Sequence, residues 1–264
     1  MARPIITLTT DYGTDDHLVG VMKGVILSIN PDVNIVDITH SVIPHDILDG
    51  ALTIGQAYSY FPSKTIHVVV VDPGVGTPRR PILVASDQHY FVAPDNGVLS
   101  SVYDQTEALY AWHIISEHYF RQPVSNTFHG RDIFAPVAAW LSKSWQTSAF
   151  GEPITDFARF GIPKPKAVGN MLKGAVLRVD HFGNLITNVT AQDAPTLANG
   201  NCKVAIRVGN AQIDKLVQTF AQGEGAQAFG LIGSGGYLEI CVNKGNAART
   251  LAAGRGAEVT VEIG

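Results

Sequence analysis

The stretch of sequence that decides the fold is Val68-Val69-Val70-Val71-Asp72-Pro73-Gly74-Val75-Gly76-Thr77-Pro78-Arg79-Arg80. Four consecutive valines are typical of a strand that is buried on both faces of a parallel sheet. The strand ends at a carboxylate, and a turn rich in glycine and proline then leads to two arginines. Because ligands bind beyond the carboxyl ends of the strands in open parallel sheets, Asp72 and Arg79 are candidate functional residues. The alternative is a surface turn that carries a solvated ion pair.

The residues around this stretch alternate between strand and helix patterns. Strands are predicted at residues 5–10, 33–38 and 66–71, and helices at residues 18–29 and 46–61. Such alternation predicts a mostly parallel sheet with helices on both faces, which is an α/β sandwich. Further along, the sequence predicts a hairpin from residues 82–86 and 90–93, a short helix after 95–97, a strand at 108–114 and a helix after 128–132.

The composition of the sequence changes between residues 151 and 170, where proline and glycine are frequent and no hydrophobic periodicity is clear. Beyond this connector, short alternating runs are separated by glycine and asparagine turns, which predicts an all-β barrel or sandwich. We therefore expect an N-terminal α/β domain over residues 1–160 and a smaller C-terminal β-barrel domain over residues 161–264. Strands of the second domain are predicted at residues 175–179, 185–189, 203–208, 228–232, 237–242 and 258–263.

Composition restricts the class of protein and its partners. The chain has 264 residues, of which 45% are hydrophobic and 16% charged, so it is expected to be globular. A formal net charge of −4 supplies no basic field, so no nucleic-acid partner is expected. The two cysteines, Cys202 and Cys241, fit reduced core residues of a cytoplasmic protein. No apolar run has signal-peptide or membrane-spanning length, so a soluble protein without a membrane partner is expected.

Three aspartates, Asp11, Asp15 and Asp16, follow the first predicted strand. A carboxylate at the end of such a strand can accept two hydrogen bonds from a ribose diol. Asp15 and Asp16 stand where a helix begins, so capping of the helix N-terminus is their preferred interpretation. For Asp11, which lies beside the strand, ribose binding and a structural role stay open.

Asp72, Arg79 and His129 form a second candidate group. Arginine stays protonated at any relevant pH, so it can hold an anion or an incipient hydroxide, and a neighbouring carboxylate can orient it. His129 precedes a predicted helix, and its imidazole can take or relay a proton near neutral pH. A lone histidine is more often a core or surface residue, and the sequence alone leaves open whether the three side chains meet.

Two further segments lie in the second domain. Asp180-His181-Phe182-Gly183-Asn184 is first a turn between strands, and its polar side chains also suit a substrate tail such as an amino acid. Gly233–Glu239 is rich in glycine but lacks the order of a phosphate-binding loop, so a nucleoside triphosphate is not expected. Histidines and aspartates are frequent in the first half, yet no metal-ligand spacing occurs, so no metal is expected.

Six segments form an informative ordered set along the chain. They are Thr10-Asp11-Tyr12-Gly13-Thr14-Asp15-Asp16, Asp37-Ile38-Thr39-His40, Val71 to Arg80, Ala93-Pro94-Asp95-Asn96-Gly97, Phe128-His129-Gly130-Arg131-Asp132 and Asp180 to Asn184. Together they resemble the S-adenosyl-L-methionine (SAM) hydroxide adenosyltransferase family, also called SAM hydrolases, which are relatives of the fluorinase and chlorinase enzymes. Each segment alone is weakly specific, whereas the ordered set is highly specific.

The resemblance implies a reaction and an architecture. SAM and water would give adenosine and L-methionine, with no cofactor. The subunit would combine an α/β domain with a β-barrel domain in a homotrimer. Each site would lie between the first domain of one subunit and the second domain of its neighbour.

The resemblance also implies roles for residues of this chain. Asp72, Arg79 and His129 match the water-handling set of the family, and Asp11 matches the carboxylate that binds the ribose hydroxyls. The halogenating relatives carry Tyr where this chain has Asp72 and Ser near Gly130, so hydrolysis is favoured over halide transfer. The other substrate-binding residues would be Asp180 and Asn184 at the methionine end, Asn246 and Ala247 at the adenine rim, and Ser234, Tyr237 and Glu239.

The chemistry of a sulfonium substrate agrees with this assignment. Departure of the sulfur gives a neutral thioether, so no general acid is needed. Attack of a hydroxide-like oxygen on a cation removes charge, so a dehydrated pocket accelerates the step. Two alternatives stay open: halide transfer to the same substrate, and a sensor that binds adenosine or SAM without turnover.

Overall fold

The computed structural model describes residues 3–144, 146–198, 204–225 and 227–263. The chain divides into two compact units between Ile162 and Pro163. Cys202 lies outside the described residues, whereas Cys241 is a buried free cysteine. Among the described helices, none has the length and apolar character that crossing a bilayer requires.

The first unit contains a seven-stranded sheet. Its strands are β1 (Ile5–Thr10), β2 (Asn34–Thr39), β3 (Ile66–Val70), β4 (Pro81–Ser86), β5 (Tyr90–Pro94), β6 (Leu109–Ile114) and β7 (Gly151–Ile154). They lie in the order β2-β1-β3-β5-β4-β6-β7. β7 falls within the segment that the sequence analysis treats as a connector, because a four-residue strand that contains a proline shows no clear alternation.

The prediction of a mostly parallel sheet is correct for one half of this sheet only. β1 pairs in parallel with β2 and with β3, and β3 pairs in parallel with β5. The pairings of β4 with β5, of β4 with β6 and of β6 with β7 are antiparallel. β4 and β5 are joined by residues 87–89 alone, and this connection is too short for the crossover that parallel pairing requires.

Helices cover both faces of the sheet. They are α1 (Leu18–Ile29), α2 (Ile47–Ala57), α3 (Ser100–Gln105) and α4 (Ala135–Leu141). Val68 and Val70 pack in the hydrophobic cluster that includes α1 and α4, whereas Val69 and Val71 pack in the cluster that includes α2 and α3. The valine run is therefore buried on both faces, as its composition predicts.

The parallel half of the sheet brings two candidate residues to one edge. Thr10, the last residue of β1, pairs with Val70, the last residue of β3. Because the two strands run in the same direction, Asp11 and Asp72 leave the sheet at its carboxyl edge, where ligands bind in open α/β sheets.

The second unit contains an eight-stranded sheet whose strand pairings are antiparallel. Its strands are β8 (Lys166–Val168), β9 (Met171–Val179), β10 (Leu185–Thr190), β11 (Val204–Val208), β12 (Ala211–Ile213), β13 (Ala228–Ile232), β14 (Tyr237–Val242) and β15 (Glu258–Ile263). β12 and β13 are the two edges of this sheet, and Leu216 bridges to Gly230 of β13, so the sheet nearly closes into a barrel. Two short helices, α5 (Pro195–Ala198) and α6 (Ala247–Thr250), complete the unit.

Candidate active site

Asp72 and Arg79 form a two-point ion pair just beyond β3. Arg79 Nε donates to Asp72 Oδ1 at 3.0 Å, and Arg79 Nη2 donates to Asp72 Oδ2. The side chains of Arg79 and Asp72 are 9% and 5% exposed. A planar guanidinium that meets a carboxylate in this way is fixed in orientation as well as in position. The alternative interpretation, a solvated ion pair on a surface turn, is therefore wrong, because both side chains are buried.

The imidazole of His129 binds the same guanidinium. Arg79 Nη2 lies 2.6 Å from His129 Nδ1. Because the guanidinium has only donors and stays protonated, Nδ1 must be the acceptor, which places the proton of a neutral imidazole on Nε2. Burial and the positive charge of Arg79 both lower the pKa of His129. The neutral form of His129 is therefore the form that this arrangement stabilises.

A count of the Arg79 protons identifies the group that remains for a ligand. A guanidinium has five N–H donors. The Nε proton and the two Nη2 protons are used by Asp72 and His129. Nη1 is buried and has no hydrogen-bond partner among the described residues. Since a buried donor without a partner is costly, Nη1 is the atom best placed to hold a small polar ligand.

The turn after β3 reverses the chain and so brings Arg79 next to Asp72. Val75 N donates to Asp72 O at 3.2 Å, and Thr77 N donates to Gly74 O at 3.1 Å. The amide of Asn96 donates to Val71 O at 2.8 Å and so fixes the end of the strand. Gly76 has a φ of +80°, which favours glycine, and Asn96 is needed for its side-chain amide.

The segment after β1 is tied to the segment after β2. Asp11 Oδ2 accepts a hydrogen bond from His45 N at 2.9 Å. The hydroxyl of Thr10 lies 2.9 Å from Nδ1 of buried His40, whose Nε2 lies 3.0 Å from Asp37 Oδ1. Asp11 is therefore held at the carboxyl edge of the sheet by a backbone N–H of the segment after β2, and His40 of the same segment holds the adjacent Thr10.

Of the other two aspartates in this segment, Asp16 has the expected structural contact. Its Oδ1 accepts a hydrogen bond from Leu18 N, the first residue of α1, at 3.0 Å. The N-cap residue of α1 is nevertheless His17, whose side chain makes no cap hydrogen bond, so Asp16 contacts the start of the helix from one residue before the cap position.

Tyr12 is a residue of this region that the sequence analysis does not single out. Its ring packs edge-on against Phe128, with 5.7 Å between the ring centroids. Burial and the negative charges of Asp11 and Asp72 raise the pKa of its hydroxyl, whereas Arg79 lowers it. The sequence did offer one indication of a functional role, because Tyr12 carries a hydroxyl next to Asp11. An aromatic side chain after a strand usually serves only to pack the core, so Tyr12 was not a candidate.

Asp132 positions the loop that carries His129. This fully buried carboxylate accepts hydrogen bonds from Arg131 Nε at 2.7 Å and from Ser125 N at 2.9 Å. Burial alone would raise the pKa of Asp132, but these hydrogen bonds outweigh it and lower the pKa. His129 itself precedes a π-helical turn, Gly130–Phe134, that leads into α4.

In the second unit, Asp180 organises the turn between β9 and β10. Its Oδ1 accepts from the backbone N–H of Phe182 at 2.9 Å and of Asn184 at 2.8 Å. Its Oδ2 accepts from Asn184 Nδ2, also at 2.8 Å. Gly183 has a φ of +87°, a backbone conformation that favours glycine. The turn interpretation of this motif is therefore correct, and it places Asp180 beside Asn184.

Asn246 and Glu239 lie close to the same turn. A side chain at Gly183 would collide with Asn246, whose own side chain caps α6 by accepting from Arg249 N at 2.8 Å. Burial and the charge of Asp180 raise the pKa of Glu239. The turn residues Asp180 and Asn184 are thus grouped with Asn246 and Glu239.

The other candidates of the second unit are less closely tied to this group. Ala247, the first residue of α6, is buried. Tyr237 begins β14, where it pairs with Thr190. Ser234 is exposed in the preceding turn, and within the described residues its side chain makes no hydrogen bond to the Asp180 turn.

The described part of the chain also contains no group of three or more His, Cys, Asp or Glu side chains placed to hold a metal ion.

Comparisons with known proteins cover both units. The family model described as SAM hydroxide adenosyltransferase N-terminal domain matches residues 6–151, and the C-terminal domain of that family matches residues 174–260. A Salinispora tropica protein named (R)-S-adenosyl-L-methionine hydrolase is 35% identical over 271 residues, covering 99% of this chain and 98% of the relative.

The chain is also similar to a more distant relative and to a solved structure. A fluorinase of an Actinoplanes species is 30% identical over 273 residues, which cover 91% of each chain. The crystal structure of an uncharacterized conserved protein from Thermotoga maritima matches with a TM-score of 0.91 at 35% identity, over 97% of this chain and 99% of that one. The protein therefore belongs to the SAM hydroxide adenosyltransferase family.

Proposed function

We propose that this protein is a SAM hydrolase, which converts SAM and water to adenosine and L-methionine. The observation that carries the proposal is the buried Nη1 of Arg79, which has no partner within the described parts of the chain while Asp72 and His129 hold the rest of the guanidinium. Similarity over nearly the full length of a relative named (R)-S-adenosyl-L-methionine hydrolase supplies the substrate.

The proposed step is a displacement at the 5′ carbon of the ribose. A water held by Arg79 Nη1 attacks C5′, the C5′–O bond forms, and the C5′–S bond breaks with its electron pair on sulfur. Methionine leaves as a neutral thioether without protonation of the sulfur. Holding the water in line with the C5′–S bond contributes several kcal/mol through positioning alone, by the usual scale of such effects.

The proton of the attacking water goes to Asp72 rather than to His129. Nδ1 of His129 already accepts a hydrogen bond from Arg79, and its Nε2 carries a proton in the neutral form. The carboxylate of Asp72 keeps additional lone pairs on both oxygens, although each accepts one hydrogen bond from Arg79. His129 is therefore a positioning residue, which holds Arg79 with Nη1 directed at the water.

The remaining candidates bind the substrate in this proposal. Asp11 accepts hydrogen bonds from the ribose hydroxyls through Oδ1, which has no donor among the described residues. The polar group around Asp180, Asn184 and Glu239 suits the ammonium and carboxylate of methionine. The adenine and neighbouring atoms contact Asn246, Ala247, Ser234 and Tyr237.

The proposed assembly is a homotrimer in which the first unit of one subunit and the second unit of its neighbour complete each site. The support is the family resemblance and the division of chemistry between the units, since water handling belongs to one and the amino-acid contacts to the other. We place the reaction in the cytoplasm and assign it no cofactor.

Halide transfer is the second candidate, because a relative at 30% identity is a fluorinase. The residues of this chain favour water. A carboxylate at position 72 repels a halide ion, and Gly130 supplies no hydroxyl to hold one.

The test is incubation of the pure protein with SAM in the presence of chloride, fluoride or neither salt, with the products separated by chromatography. The proposal predicts adenosine and methionine in all three reactions. A 5′-halo-5′-deoxyadenosine would support the halide transferase, and intact SAM bound tightly after long incubation would support a sensor; either result would refute the hydrolase.

A further inference from the structure

The hydroxyl of Tyr12 lies against the backbone of the residue that follows His129. A Cβ atom added to Gly130 would lie 2.6 Å from Tyr12 Oη and 3.2 Å from its Cε2. The ring of Tyr12 is held by Phe128, and its backbone N–H donates to Thr10 Oγ1 at 3.2 Å. Tyr12 therefore has a defined position between the loop that follows β1 and the loop that carries His129.

Three charged groups of the proposed site change the pKa of the Tyr12 hydroxyl. They are the carboxylates of Asp11 and Asp72 and the guanidinium of Arg79. Burial and the two carboxylates favour the protonated phenol, so Tyr12 is a neutral donor and acceptor at neutral pH. Tyr12 is a half-buried residue, and among the described residues no group hydrogen-bonds to its Oη, which leaves this hydroxyl available to a small ligand.

The attacking water needs more contacts than the charged residues supply. One lone pair of the water points at C5′, and the other accepts from Arg79 Nη1. One proton goes to Asp72 in the proposed step, and the second proton needs an acceptor that stays neutral. A phenol oxygen near Asp72 and Arg79 meets this requirement, because it accepts a hydrogen bond without taking the proton.

We infer that Tyr12 is a further catalytic residue, whose hydroxyl binds the attacking water together with Arg79 Nη1, and that Gly130 leaves the space for this hydroxyl. The inference rests on the proposed hydrolase function. In this inference the Tyr12 hydroxyl binds the attacking water and not SAM. Removing the hydroxyl should therefore lower kcat and leave KM for SAM nearly unchanged.

A consequence for specificity follows. A water held at several points is oriented with both protons in use, whereas an alcohol has only one O–H proton. Removing the Tyr12 hydroxyl removes the contact that methanol cannot satisfy, and it also frees space. Methanol should then compete better with water: its oxygen attacks C5′, the C5′–S bond breaks, and its proton is released, which gives 5′-O-methyladenosine and methionine.

Tyr12→Phe tests the inference, and Tyr103→Phe is the matched control. Tyr103 is another tyrosine of the first unit, and burial likewise raises the pKa of its hydroxyl. This hydroxyl is buried and has no hydrogen-bond partner among the described residues. Tyr103 packs against Phe157 and not against the proposed site. Rates with SAM are measured in water and in water with methanol, and circular dichroism supplies the folded fraction.

We expect Tyr12→Phe to lower kcat about tenfold, the effect of one hydrogen bond, with KM within about twofold of the original value. The ratio of 5′-O-methyladenosine to adenosine should rise severalfold. Tyr103→Phe should change neither quantity. An unchanged kcat and an unchanged product ratio in Tyr12→Phe would overturn the inference, while adenosine formation by the unmodified protein would still support the hydrolase. Absence of adenosine from the unmodified protein would overturn both proposals.

Gly130→Ala supplies a second test that does not depend on Tyr12→Phe alone. The new methyl group displaces the Tyr12 hydroxyl, so kcat should fall in the otherwise unmodified protein. In the Tyr12→Phe background the same substitution no longer meets a hydroxyl and contacts the ring edge and the flexible side chain of Met22, so its further effect on kcat should be much smaller. Equal effects of Gly130→Ala in the two backgrounds would contradict the inference.

Discussion

Arg79 is held by hydrogen bonds that depend on the planar shape of its guanidinium. Nε and Nη2 meet the two oxygens of Asp72, while Nη2 also donates to His129 and Nη1 stays available. Lysine keeps the positive charge, but its three N–H donors lie on one nitrogen. They cannot reproduce the two contacts with Asp72, the contact with His129 and a further contact with a water.

Arg79→Lys should therefore lower kcat with SAM by at least about a hundredfold, the usual loss when a preorganised donor is removed. Arg159→Lys is the control, because Arg159 lies over the rings of Tyr103 and Phe157. Adenosine release measures the rate, and circular dichroism checks the fold. A lysine variant within a few-fold of the original rate would show that charge alone is sufficient.

The protonation of His129 sets the pH dependence on the acid side. Burial and the charge of Arg79 place the pKa of His129 below its ordinary value of 6.5. Protonation at Nδ1 removes the acceptor for Arg79 Nη2 and puts a second cation beside the guanidinium. Activity should therefore be present above this pKa and decline as the pH falls through it.

The measurement is kcat/KM for SAM as a function of pH in the original protein and in His129→Gln. We expect the acid limb to have its midpoint below 6.5 and to be absent or shifted in the variant. An acid limb above 6.5 that persists in His129→Gln would show that another group controls the rate.

The motifs marked single residues, and their proposed roles stay predictions. Asp72 and Arg79 stand on either side of the turn after β3, and His129 precedes a helix. Their contact could not be predicted, because it depends on a turn held by Asn96 and on a loop held by Asp132. The role proposed for Tyr12 was not predicted from the sequence, because it depends on the proximity of Gly130, which lies far away in the sequence.

At the scale of elements, β1 and β2 hold the proposed ribose site through a buried histidine. His40 contacts the Thr10 hydroxyl with one ring nitrogen and Asp37 with the other, and its carbonyl accepts from Gly13 N at 2.7 Å. The loop that carries Asp11 is therefore held by His40 at Thr10 and at Gly13, and Asp37 holds His40 in place.

His40→Ala should loosen this loop and remove the imidazole partner of the buried Thr10 hydroxyl, which then keeps only the hydrogen bond that it accepts from Tyr12 N. A loss of about 1–3 kcal/mol is usual for such a group, and each kcal/mol lowers Tm by roughly 2–4 °C in a domain of this size. KM for SAM should rise, because Asp11 is less well placed. Exposed His17, whose side chain makes no capping hydrogen bond, supplies the control His17→Ala. An unchanged KM in His40→Ala would contradict the positioning role.

The elements themselves were predicted where the pattern was long and regular. The valine run of β3 and the alternation of strands and helices before it were read correctly. The hairpin of β4 and β5 was also predicted correctly. The antiparallel direction of β6 was not predicted, because a residue pattern reports burial and says little about which strand lies beside which. β7 and β8 were missed because strands of four and three residues are too short to show a period.

At the scale of the whole molecule, the proposed homotrimer predicts complementation between inactive chains. Arg79→Ala removes water handling in the first unit, and Asp180→Ala disturbs the substrate-binding turn in the second. When the two variants are mixed so that subunits exchange, random assembly should restore about a quarter of the sites if neighbouring subunits share each site. Mixed samples without activity would indicate that each site belongs to one subunit.

Removal of divalent metals should not change the rate. The proposed step uses a guanidinium and a carboxylate to hold and deprotonate water, so EDTA should leave adenosine formation at its original value. Loss of activity in EDTA, restored by one added metal, would contradict this mechanism.

The most direct test of the central claim follows the oxygen atom of the water. The reaction is run with SAM in water enriched in oxygen-18, and the products are analysed by mass spectrometry. Attack at C5′ by a single water held at Arg79 predicts adenosine with one heavy oxygen in its 5′ hydroxyl and methionine without label. Unlabelled adenosine, or label in a product derived from the methionine side, would contradict the account.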